Sequence, residues 1–97
     1  MLPDQCTNMQ DIRVEIDAID HHIISLLGQR AKYVNAASAF KTNADSVRAH
    51  ERVESMLKAR RVWAEKAGLD PDMVERLYRM LVEHFIQQEM THWKHSP

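Results

Sequence analysis

The 97 residues carry 13 basic and 14 acidic side chains and a net charge of −1, with 44% apolar and 28% charged residues. That length bounds the chain to one domain, residues 1–97, and the charge balance argues against a nucleic-acid binder, which carries a basic excess. Cys6 is the sole cysteine, so neither an intramolecular disulfide nor a cysteine-based zinc set is available.

The opening "MLPDQCTNMQ" has neither the basic nor the apolar region of a secretion signal. No apolar run approaches the roughly 18 residues of a membrane span. A cytoplasmic location is the expectation. A chain this short buries only about 60–65% of its unfolded surface, and oligomerisation is a common remedy.

Two glycines and three prolines leave the interior almost free of breakers, and no run alternates as a strand does. The chain reads as all-α, with three helices. The first starts near Thr7 or Asn8, either of which suits an N-cap. Ile12, Ile16, Ile19, Ile23, Leu26, Leu27, Val34 and Ala37 mark one face in steps of three and four. The pattern fades at 41–43, giving a helix of about 45 Å, too long for a monomeric three-helix globule. Gly28 is its one weak point.

"KTNADSVRA" (41–49) is a polar break. A second helix follows from about Ala49 to Ala67, with Gly68 as its C′ residue. In "LDPDMVERL", Asp70 caps the third helix, Pro71 takes its first position and Asp72 complements the dipole. That helix runs to about Trp93 through Val74, Leu77, Tyr78, Leu81, Phe85, Ile86 and Met90.

Charges intrude on the apolar rows. Arg30 and Lys41 are eleven residues apart, only about 20° past three turns of a continuous helix, with Val34 and Ala37 between them. A buried cation needs a compensating partner: an acid of the protein, or an anionic ligand shared by both. Arg13 lies about 25 Å before Arg30 on the same helix and about 100° off its face. It either pairs with Asp17 or reaches such a site across an antiparallel or intertwined dimer. Glu89 continues the row Tyr78, Leu81, Phe85 on the third helix. It is either half of an ion pair or, when protonated, a donor to a ligand oxygen; burial and nearby cations push its pKa in opposite directions.

The other candidates are weaker. His84, His92 and His95 are close in sequence, but nothing completes a metal set, and no metal is expected. Ser38 lacks a nucleophile elbow. Arg60-Arg61 reads as a solvated face. Met9, Met56, Met73, Met80 and Met90 read as packing.

The stretches "DIRVEIDAIDHHIISLLGQRAKYVNAASAFK" and "HERVESMLKARRVWAEKAGLDPDMVERLYRMLVEHFIQQEM" resemble the all-helical chorismate mutase class, most closely the subgroup of isochorismate-pyruvate lyases of salicylate and siderophore synthesis. The resemblance covers about Cys6 to Trp93. It implies an intertwined homodimer with two sites shared between the chains. It implies turnover of chorismate to prephenate or, alternatively, of isochorismate to salicylate and pyruvate, without metal or cofactor.

By position, Arg13 resembles the arginine donated across the dimer to a substrate carboxylate, and Arg30 the one gripping a carboxylate from within the chain. Lys41 resembles the lysine on the ether oxygen and a carboxylate. Glu51 matches a glutamate that binds the ring hydroxyl, with Arg52 beside it. Val34, Phe85 and Ile86 complete the apolar lining. Glu89 stands where many members have a glutamine that donates to the ether oxygen. A glutamate does so only when protonated, which implies activity favouring lower pH. His50 stands near another family arginine, and Phe85, where some mutases have a small hydroxyl residue, leans towards the lyases. The remaining alternative is a non-catalytic helical dimerisation module whose charges only set register.

Overall fold

The computed structural model describes residues 1–41 and 49–95, with side chains through Thr91. Most of the expected polar break, 42–48, lies outside the described residues, as do the side chains of His92, Trp93 and His95. Among the described residues every regular element is helical: α1, Met9–Ala37; α2, His50–Lys66; α3, Pro71–His95; and 3₁₀ turns at Pro3–Gln5 and Ser38–Phe40. The chain forms two compact units, Met1–Val34 and Asn35–Pro97.

In the first unit Asn8, one of the two expected caps, caps α1. Asn8 Oδ1 accepts the Asp11 N–H at 2.9 Å, and Asp11 Oδ2 reaches back to the Thr7 N–H at 3.1 Å and hydroxyl at 3.2 Å. Together they satisfy donors that a helix start leaves unpaired. Ahead of the helix, Leu2 N–H donates to Gln5 Oε1 at 2.7 Å, closing a 3₁₀ turn that the sequence pattern did not predict.

None of the 29 residues of α1 is buried. Ile16 is 50% and Ile19 58% exposed, and Ile23 and Leu26 are similar. Full burial of such side chains contributes about 1.5–3 kcal/mol each, so roughly half of that remains unrealised along the row.

The second unit is built on an antiparallel hairpin of α2 and α3. Residues further along α3 pair with residues further back on α2: Arg61 with Asp72 and Glu75, then Glu54 with Arg79. Its turn is chemically determined. Gly68, at φ +76°, donates its N–H to Glu65 O at 3.1 Å, and Leu69 N–H donates to Ala64 O at 2.8 Å. This is a Schellman ending, which needs a residue free to enter the left-handed region. Asp70 Oδ1 then accepts the Asp72 N–H at 2.9 Å and caps α3, with Pro71 at its first position.

Among the described residues, Met56, Leu57 and Ala64 of α2 and Val74 and Ile86 of α3 are the buried apolar ones, Leu57 at 1% exposure. Of the methionines assigned to packing, Met56 is buried and Met90 half-buried, but Met9, Met73 and Met80 are exposed. Met73, Leu77 and Met80 form a second stripe of α3, beside the one that carries Val74, Tyr78, Leu81 and Phe85.

Candidate active site

Lys41 owes its position to the end of α1. Ser38 Oγ donates to Asn35 O at 2.6 Å, the backbone tightens into the 3₁₀ turn Ser38–Phe40, and Lys41 N–H closes it on Ser38 O at 3.2 Å. A hydroxyl that bonds back to a carbonyl one turn earlier competes with the helical ladder. Lys41 itself is extended, with φ −97° and ψ 131°. The helical count from Arg30 therefore holds only to Ala37, and Lys41 leaves the row it was expected to continue.

Leaving the row delivers the ammonium to Glu89. Lys41 Nζ donates to Glu89 Oε2 at 2.9 Å, across 48 positions of sequence, with side-chain exposures of 25% and 9%. Glu89 is carried there by the α3 row: Tyr78, Leu81 and Phe85 are half-buried and Ile86 is buried. Phe85 meets the His84 ring edge-on at 5.3 Å. A carboxylate shielded by apolar neighbours is costly alone; here an ammonium answers it, the first of the two roles open to Glu89.

The remaining sequence-assigned residues are divided between the units. Arg13, Arg30 and Val34 belong to the first; Glu51, Arg52, Phe85 and Ile86 join Lys41 and Glu89 in the second. Arg30 and Val34 are half-buried, while Arg13 is exposed. Among the described residues no ion pair joins Arg13 to Asp17. His50, Glu51 and Arg52 are exposed in the first turn of α2, where the Glu51 carboxylate complements the helix dipole. Among the described residues no group of histidines, cysteines and acids is arranged to hold a metal ion.

The pair Arg60-Arg61 is not a solvated face. The Arg60 guanidinium lies 4.5 Å from the Trp63 ring centroid and 5.6 Å from that of Tyr78, with its Nε buried and without a hydrogen-bond partner among the described residues. The i, i+3 spacing of Arg60 and Trp63 was the available signal; the Tyr78 contact depends on the hairpin. Arg61 Nη1 donates to Asp72 Oδ1 at 2.9 Å and Glu75 Oε1 at 3.3 Å, and Arg79 bonds Glu75 at 3.0 Å and Glu54 at 3.3 Å. The hydrogen bond from Arg79, aided by Arg61, holds the Glu75 carboxyl below the usual carboxylate range. Asp72 raises Arg61 and Glu54 raises Arg79, each chiefly through its hydrogen bond. Arg61 with Asp72 and Glu75, and Arg79 with Glu54, join α2 to α3 along the hairpin that carries Glu89.

The fold and this site define an all-helical protein with a charged pair set into an apolar helix face. The chain belongs to the chorismate mutase type II family, whose model matches residues 12–90. It is 42% identical over 94 residues to an isochorismate pyruvate lyase of Pseudomonas aeruginosa, covering 97% of this chain and 93% of that protein. It is also 34% identical over 82 residues to the T-protein of Haemophilus influenzae, covering 84% of this chain but 22% of that longer protein. No helix among the described residues is long and apolar enough to cross a membrane.

Proposed function

We propose that the chain is a pericyclic enzyme of enolpyruvyl dicarboxylates: a chorismate mutase forming prephenate, or an isochorismate-pyruvate lyase forming salicylate for siderophore synthesis. In both reactions the ether C–O bond breaks. In the mutase a new C–C bond forms to the ring; in the lyase a ring hydrogen moves to the enolpyruvyl methylene. Neither reaction uses a nucleophile, metal or cofactor. The protein's task is to hold a compact conformer and to stabilise charge developing on the ether oxygen.

The observation that carries this reading is that Lys41, assigned to the ether oxygen, is brought within 2.9 Å of Glu89, which stands at the second position so assigned and here answers the ammonium as a carboxylate. Arg30 grips one carboxylate, since an arginine fork matches a carboxylate bidentately. Arg13 supplies a second grip from a partner copy. Glu51 binds the ring hydroxyl, Arg52 flanks it, and Val34, Phe85 and Ile86 line the ring. The 97 residues work as one domain within an intertwined, cytoplasmic homodimer. The exposed row on α1, with Ile16 half exposed and Ile19 more so, supports the dimer, because a partner helix would withdraw that row from water.

Family membership favours the mutase reaction, and full-length likeness to a named lyase favours the elimination. Parallel assays of the purified protein decide between them. Chorismate loses ultraviolet absorbance on conversion to prephenate; isochorismate yields fluorescent salicylate. Turnover of neither substrate by a folded dimer overturns the reading and leaves a helical dimerisation module.

A further inference from the structure

We infer that Glu89 is an internal competitor for Lys41, so that an anionic ligand gains the ammonium only by exchange with the Glu89 carboxylate. The inference rests on the reading above, in which Lys41 contacts a dicarboxylate. Its basis is the pair itself: Lys41 Nζ to Glu89 Oε2 at 2.9 Å, with the Glu89 side chain 9% and the Lys41 side chain 25% exposed.

The asymmetry of exposure decides what exchange entails. Lys41 keeps a quarter of its side chain open to solvent and to an incoming group. Glu89 lies on the α3 face beside half-buried Phe85 and buried Ile86. An ammonium has three donors but one charge. When a ligand carboxylate takes it, Glu89 either shares it, with two like charges a few ångströms apart, or gives it up where little water replaces it. Both outcomes subtract from ligand affinity. The gain is a lysine held in one place before the ligand arrives, since the pair fixes a long side chain that would otherwise sample many rotamers.

The test removes the charge at position 89 in two ways that differ in hydrogen bonding. Glu89→Gln keeps the shape and adds an amide donor; Glu89→Met keeps the length and has no donor. Dissociation constants are measured calorimetrically for prephenate or salicylate, whichever product the wild-type protein forms, together with KM and kcat. Both variants are expected to bind the product at least about fivefold tighter, the size of a partly exposed ion pair, with KM falling whatever happens to kcat. Lys41→Met is expected to lose that gain when combined with either variant.

Equal or weaker binding by both variants overturns the exchange. So does tightening by Glu89→Gln alone, which would signal a new amide contact with the ligand instead of a freed lysine. If Glu89→Met is misfolded by circular dichroism, Glu89→Leu, which likewise has neither charge nor donor, takes its place. The same tightening is expected, and unchanged binding overturns the exchange. A wild-type protein that converts neither substrate defeats the functional reading and the exchange with it, whereas normal turnover with unshifted affinities defeats the exchange alone.

Discussion

Replacing Ile19 by aspartate tests whether the exposed row of α1 is an interface. Ile19 is 58% exposed in the single chain. Full burial of an isoleucine contributes about 1.5–3 kcal/mol, so withdrawing the exposed part contributes about 0.9–1.7 kcal/mol per copy. A two-fold dimer contains the residue twice, giving about 2–3 kcal/mol of lost association. To this is added the cost of taking two unpaired carboxylates out of water, several kcal/mol more. Association should therefore weaken by at least about a hundredfold. Sedimentation equilibrium would read this as a shift from dimer to monomer at micromolar concentration, with a Tm that no longer rises with protein concentration. Ile19→Asp does not touch Asn8 or Asp11, which cap α1, so helicity at high protein concentration should survive. An unchanged mass and Tm would refute the interface and, with it, the shared site that needs Arg13 from a partner.

Lys41→Ala should lower kcat by about 100-fold or more, the size of one lost donor at a developing oxyanion, and cost up to about 3 kcal/mol of stability by orphaning Glu89; a dimer that turns over within threefold of wild type would remove Lys41 from the site. Glu75 contributes to the acid sensitivity of the hairpin. Its carboxyl is held low by Arg79 first and Arg61 next, so its stabilisation is present above the ordinary carboxylate range and is lost as pH falls through the lowered value. Glu75→Gln should therefore flatten the decline of Tm below about pH 5, and an identical acid slope in wild type and variant would show that the network does not stabilise the fold. Ala49 sits in the left-handed region at φ 42°, which costs a residue with a Cβ about 1–2 kcal/mol; Ala49→Gly should raise Tm by a few degrees after the entropy cost of glycine, and a lower Tm would refute the strain. Gly68→Ala, at φ +76°, should lower stability by about 1 kcal/mol in urea, although its Cβ would meet open space; no change in midpoint would mean the Schellman turn rearranges freely.

Much of the fold was legible because its determinants are local. Asn8, Gly68 and Asp70 act on backbone groups within a few residues of themselves, and their caps appear where the pattern placed them. The long apolar row of α1 was legible for the same reason, being a property of one helix. Of the site, the anomaly of Glu89 in an apolar row was visible, and so was the need for a cation opposite it. The continuation of the Arg30 row to Lys41 was misread, because the Ser38 hydroxyl turned the chain out of the helix four residues early. Arg60 was misread because its second ring, Tyr78, comes from the other arm of the hairpin.

The sequence by itself determined where the helices begin, where α2 ends and which faces are apolar, since capping and the 3.6-residue period depend on near neighbours. Which charges meet was decided only by tertiary structure. Lys41 and Glu89 are 48 positions apart, and neither spacing nor propensity encodes that distance. It follows from the Gly68 turn, the buried seam around Leu57 and the ion pairs from Arg61 to Glu54, which together set how far α3 runs back along α2. A carboxylate in an apolar row announces that it needs a partner, but only the packing of the hairpin selects it.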